Sequence, residues 1–145
     1  MGQPSATMEW TRDDYTITDD GRRADVEAIH ALLRDTYSAA TRSRDAVRLS
    51  IEHSLCLSLF HRGRQIGLAR VLSDVGAASY VLDVVVSEEH RAQGLGTWLM
   101  ERILEHPAVR DTRVVLITKD AQDFYGGLGF RTHPFECMIK REPGG

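Results

Sequence analysis

Tyr80-Val81-Leu82-Asp83-Val84-Val85-Val86 runs on into Ser87-Glu88-Glu89-His90-Arg91-Ala92-Gln93-Gly94-Leu95-Gly96-Thr97-Trp98, and the reading of this junction decides the fold. Its first half is the most apolar stretch of the chain, and the β-branched content of Ser79 to Val86 predicts a central strand buried on both faces. Beyond the glycines, Leu95, Trp98, Leu99, Ile103 and Leu104 recur at the helical period until Pro107, so Gly94 to His106 is predicted to be a helix. A strand therefore feeds a glycine loop that opens a helix. The first amides of such a helix have no intrahelical acceptor, and the macrodipole adds partial positive charge there. Gly94 and Gly96 carry no Cβ, which lets anion oxygens come within hydrogen-bond distance of the backbone. The junction is suited to a pyrophosphate.

Two common phosphate motifs do not fit it. A Walker A loop requires Gly-Lys-Ser/Thr, whereas Gly96 is followed by Thr97-Trp98. A dinucleotide fingerprint requires a third glycine where Leu99 stands.

Outward from the junction, Tyr15 to Thr18 alternates as a short strand, and Asp19 and Asp20 can cap a helix over Ala24 to Thr36. Thr41 to His53 is a second helical segment carrying Arg42, Arg44 and Arg48. Leu55 to His61 and Gln65 to Leu72 form a hairpin about Arg62-Gly63. After the central helix come a strand over Arg113 to Thr118, a short helix over Ala121 to Leu128, and a last strand over Glu136 to Lys140. Residues 1–14 lack a period and are expected to be a tail docking through Trp10. The order is that of a mixed α/β sheet with helices packed on it. No linker or repeat divides the 145 residues, so a single domain is expected.

Composition narrows the function classes. A net charge of -3 provides no basic stripe for nucleic-acid phosphates, so no nucleic-acid partner is expected. No apolar run approaches the roughly 20 residues of a membrane span, and the first residues do not read as a signal peptide, so no membrane partner and a cytoplasmic location are expected. Cys56 and Cys137 sit among apolar residues without metal-ligand spacing; both are expected to be buried thiols, with no metal.

Two separated blocks resemble the GCN5-related N-acetyltransferase (GNAT) superfamily. Val86 to Gly96 is similar to that family's strand-end Val followed by Arg/Gln-x-x-Gly-x-Gly/Ala, and Ala121-Gln122-Asp123-Phe124-Tyr125-Gly126-Gly127-Leu128-Gly129-Phe130 to its Ala-x-x-x-Tyr-x-x-x-Gly-Phe. The resemblance implies a central sheet of six to seven strands flanked by about four helices, with two central parallel strands splayed apart. It implies acetyl-CoA as the cofactor, its pyrophosphate on Arg91, Ala92, Gln93, Gly94, Leu95, Gly96 and Thr97. The pantetheine would lie along Val84, Val85 and Val86, with Thr118, where many members carry Asn, on the facing strand. Tyr125 matches the family's phenol near the coenzyme sulfur.

Direct transfer also needs a route for the amine's proton. Asp83 interrupts an apolar strand, where a carboxylate is costly unless paired or used, and it is the candidate base; a water relay is the alternative. Arg42, Arg44 and Arg48 offer guanidinium forks for a carboxylate or phosphate on the acceptor. The expected activity is transfer of an acetyl group from acetyl-CoA to a primary amine of a small molecule or peptide. The alternative is a non-catalytic acyl-CoA sensor or interaction module, which would not need Tyr125. An exposed last strand can pair with a second copy, making a homodimer.

Overall fold

Arg62 and Gly63, at φ 51° and 81°, make the left-handed two-residue turn that matches strand twist, so the segments on either side pair as a hairpin. The computed structural model describes residues 6–37 and 39–141. In chain order the strands are β1 (Glu9–Arg12), β2 (Tyr15–Thr18), β3 (Leu55–His61), β4 (Arg64–Ser73), β5 (Ala78–Val86) and β6 (Arg113–Leu116). The helices are α1 (Val26–Leu33), α2 (Arg44–Glu52), α3 (Leu95–Glu105) and α4 (Gln122–Gly126). The strands lie in sequence order in one sheet. Every neighbouring pair is antiparallel except β5 and β6, which are parallel because α3 carries the chain back across the sheet.

Strand alternation divides the core. Leu57, Val71 and Val81 pack with Leu95, Trp98, Leu99 and Ile103 of α3. Cys56, Leu68 and Val85 pack with Ile29 and Leu33 of α1 and Val47 and Ile51 of α2. The helices bury these residues at helical spacing, and side-chain caps fix their starts: Asp25 accepts from the Ala28 amide and Ser43 from the Ala46 amide. Asp20, expected to cap α1, instead caps a single 3-10 turn over Gly21–Arg23.

Two expectations at the ends of the chain are corrected. Glu9–Arg12, placed by the sequence in a tail, is the edge strand β1; its Trp10 does pack against the α3-side core, and residues 1–5 lie outside the described residues. The strand expected at Glu136 to Lys140 is absent, so the described sheet has six strands. That segment has no ladder partner, and Phe135, Met138 and Ile139 stay exposed. Cys137 is therefore exposed as well, while Cys56 is buried as expected.

Candidate active site

Pairing between β5 and β6 begins at Ala78 and Arg113 and stops at Val81 and Leu116. Because β5 continues to Val86 while β6 ends, the backbone of residues 82–86 has no β6 partner among the described residues. This is a cleft with an unsatisfied strand edge along one wall, able to hydrogen-bond an extended ligand. Val84 and Val86 pack half-buried against the α3-side core, as does Tyr125, while the Val85 side chain is buried on the opposite side against α1 and α2. Thr118 lies just beyond β6, where its hydroxyl accepts from the Ala121 amide at 3.0 Å and ties the second wall to α4.

The glycine loop closes the end of the cleft. Ala92 and Gly94 both take left-handed φ values, 63° and 75°, which curl the backbone before α3. A side chain at Gly94 would meet open space, so its glycine answers to conformation rather than crowding. Gly94 offers α3 no side-chain cap, and the first helical bond runs from the Trp98 amide to the Gly94 carbonyl at 3.0 Å. The amides of Leu95, Gly96 and Thr97 are thus left for a ligand. A cavity of about 290 Å³ lies against them, walled by Val86, His90, Arg91 and the Phe124 ring. Arg91 Nε donates to the Val86 carbonyl at 3.0 Å, pinning the loop to the strand end. Tyr15 fixes the other side of the loop, donating to Gln93 Oε1 at 3.1 Å and meeting His90 Nδ1 at 3.1 Å. These residues fit an anionic, extended cofactor.

Tyr125 packs edge-on against Phe124 and Phe130, with ring centroids 4.9 Å and 5.7 Å away. Burial lifts its phenol above the ordinary 10.0, because the ionised form would lose solvation.

Across the sheet from Tyr125, a β-bulge shapes the other half of the site. Leu68 pairs with Val85 and Arg70 with Leu82, leaving Asp83 and Val84 opposite Ala69 alone. Asp83 takes φ 39°, unusual for a residue with a side chain, and its carboxylate is 2% exposed. Oδ2 of Asp83 accepts from Arg70 Nε at 2.8 Å and from Arg42 Nη1 at 2.5 Å. Arg70 also donates to Ser54 Oγ at 2.9 Å, and His30 Nε2 meets the Arg42 carbonyl at 3.0 Å.

The three arginines proposed from sequence therefore separate. Arg42 joins Asp83, whereas Arg44 pairs with Glu27 and Arg48 with Glu52 on exposed helix surface. Arg70 was missed, although a lone charge within Ile66-Gly67-Leu68-Ala69-Arg70-Val71 carries the same signal as Asp83 in β5. The Tyr15–His90 contact crosses 75 residues of sequence and leaves no local signature. No group of three or more metal-ligating side chains occurs among the described residues.

Comparison with known proteins bears on this geometry. Residues 52–132 match the model of the acetyltransferase (GNAT) domain, a span holding the bulge, the loop and Tyr125. A Gibberella zeae protein named as an acetyltransferase, FG08082, is 28% identical over 87% of this chain and 84% of its own length. The N-acetyltransferase ycf52 of Gracilaria tenuistipitata var. liui is 32% identical over 70% of this chain and 60% of its own. Among solved structures, a Xanthomonas campestris pv. campestris chain described as a GNAT-family acetyltransferase superposes with a TM-score of 0.81 at 33% identity, over 86% of this chain and 93% of that one. Neisseria gonorrhoeae N-acetylglutamate synthase, solved with coenzyme A, shares the fold at a TM-score of 0.66 and 20% identity, over 82% of this chain and 28% of that one. With its splayed parallel pair, its uncapped helix start and the matched span between them, the chain belongs to the GNAT acetyltransferase family.

Proposed function

We propose that this protein transfers an acetyl group from acetyl-CoA to a primary amine of a small molecule or peptide by direct attack. The observation that carries the reading is the junction of the uncapped α3 amides with the free edge of residues 82–86, where the half-buried Tyr125 packs against the same core cluster as Val84 and Val86. Acetyl-CoA, when bound, supplies an activated thioester whose C–S bond is exchanged for a C–N bond to the amine.

The chain's own groups divide the remaining work. Leu95, Gly96 and Thr97 amides bind the pyrophosphate, helped by the α3 dipole. The backbone of Asp83 to Val86 orients the pantetheine, and an amide at the bulge polarises the thioester carbonyl. Tyr125, kept protonated by burial, donates toward the charge developing on sulfur. Asp83 has Oδ2 committed to two guanidinium groups, so it serves the reaction better by organising Arg42 and Arg70 than by accepting a proton. The amine's proton then leaves through water.

A thiol-release screen of amines, amino acids, polyamines and peptides with acetyl-CoA tests the proposal. Turnover with at least one acceptor, weakened in Tyr125→Phe, supports it. Tight coenzyme A binding with no turnover across the panel, and indifference to Tyr125→Phe, would instead indicate a sensor.

A further inference from the structure

Arg42, Arg70 and Asp83 form a cluster of two cations on one anion, so it carries one positive charge in excess. Arg70 and Asp83 side chains are only 8% and 2% exposed, and Arg42 is 20% exposed. Guanidinium does not deprotonate at any accessible pH, so the excess charge cannot be relieved by titration. A charge removed from water is costly unless a counter-charge meets it. Arg42 makes a single side-chain hydrogen bond among the described residues, to Asp83, and the rest of its fork is free to meet a partner. The bulge that places Asp83 there holds a left-handed residue with a side chain, a strained conformation of the kind found where a site requires it.

The nearby acids do not compete for the charge. Ser54, hydrogen-bonded to Arg70, separates the cluster from a neighbouring cavity of about 620 Å³ whose lining includes Glu52, Leu72 and Asp74 but none of Arg42, Arg70 and Asp83. Both acids of that cavity are committed elsewhere: Glu52 to Arg48, and Asp74 to the amides of Gly76, Ala77 and Ala78. Tyr80, paired with Leu72 two residues along from the Arg70–Leu82 pair, stands on the same face of the sheet as Arg70. The cluster is one residue from Val84, at the cleft wall.

We infer that Arg42, backed by Arg70 and Asp83, is an oxyanion site that selects acceptors carrying a carboxylate or phosphate as well as the reacting amine. The inference rests on the acetyl-transfer reading for the word acceptor, while the anion site itself stands on the cluster. Arg42 is the binding residue; Asp83 and Arg70 position it.

Two measurements separate the two layers. Thiol release is compared for L-amino acids against their carboxamides and for aminoalkyl phosphates against aminoalcohols. The anionic member of each pair is expected to have a kcat/KM at least tenfold higher, and Arg42→Gln is expected to remove that preference by raising the KM of the anionic member at least tenfold more than that of the neutral one. Independently of turnover, inorganic phosphate is titrated in the presence and absence of coenzyme A while the arginine Nε resonances are followed. A saturable shift at Arg42 Nε, accompanied by a phosphate-dependent shift at Arg70 Nε that is lost in Arg42→Gln, supports the anion site even if no amine is acetylated. Equal turnover of both members of each pair overturns the selection of acceptors, as does an equal loss for both in Arg42→Gln. No response at Arg42 Nε together with no anion preference overturns the site.

Discussion

Val81 and Val85 are four residues apart on one strand, yet Val81 packs against α3 and Val85 against α1 and α2. In a regular strand an even separation keeps two side chains on one face. The bulge at Asp83 and Val84 shifts the phase by one residue, so β5 contributes to both cores and turns the Asp83 carboxylate toward the arginines. The same shift leaves Val84 on the α3 side, packed against the same core cluster as Tyr125.

If Asp83 organises the arginines, its removal is first a stability defect. Asp83→Ala leaves two buried guanidinium groups without their counter-charge and is expected to cost about 3 kcal/mol in urea unfolding. Asp83→Asn keeps an acceptor oxygen and is expected to be milder, with its kinetic effect mainly on the acceptor KM. A collapse of kcat in Asp83→Asn with KM preserved would make Asp83 the base after all.

Gly67 faces Val86 where β4 meets the bulged strand, and a Cβ there would lie 2.7 Å from the Val85 carbonyl oxygen and 3.1 Å from a Leu59 methyl. Backbone cannot yield as a flexible side chain does. Gly67→Ala is expected to destabilise the fold by roughly 1–3 kcal/mol, the range for overpacking, and to weaken coenzyme A binding by shifting the cleft edge. Unfolding midpoints and calorimetric titration check the two effects separately.

Tyr125→Phe is expected to lower kcat by roughly 10²-fold, the low end for a positioned acid, with little change in the KM for acetyl-CoA. The sign of its pH dependence follows from burial. With the folded value raised above 10.0, the phenol keeps its proton throughout the neutral range, so any loss of activity it causes lies above pH 10. The associated stability is present below 10.0 and lost as pH rises through the higher folded value. An alkaline limb well below pH 10 that disappears in Tyr125→Phe would contradict this.

The two thiols should react very differently. Cys56 is buried, and desolvation pushes its thiol up to about 11, whereas Cys137 is exposed. A thiol reagent at neutral pH is expected to modify Cys137 quickly and Cys56 only after unfolding, with mass spectrometry of the peptides locating the label.

Most of the fold was legible because its signals are local. The hairpin turn at Arg62-Gly63, the apolar run of β5 and the periodic face of α3 each lie within a single window of sequence. The edge strand β1 was not, because Glu9–Arg12 has no periodicity of its own and is a strand only through its ladder with β2. The strand expected at Glu136 to Lys140 failed for the converse reason: favourable composition without a paired neighbour leaves it irregular. At the site, the glycine loop was readable as a strand-to-helix junction, whereas Tyr125 was singled out only by the family resemblance. Arg42 could be chosen over Arg44 and Arg48 only once the α1–α2 loop was seen to bring it across 41 residues to Asp83, and Arg70 became visible with it.

The most direct test of the account is to incubate the protein with acetyl-CoA carrying a labelled acetyl carbon and the amine panel, and to follow the label by mass spectrometry. Direct attack places the label on the nitrogen of an amine, in step with thiol release and with none retained on the protein. Label retained on a protein side chain before it reaches any amine would contradict direct attack, and label remaining on coenzyme A with every amine would contradict acetyl transfer itself.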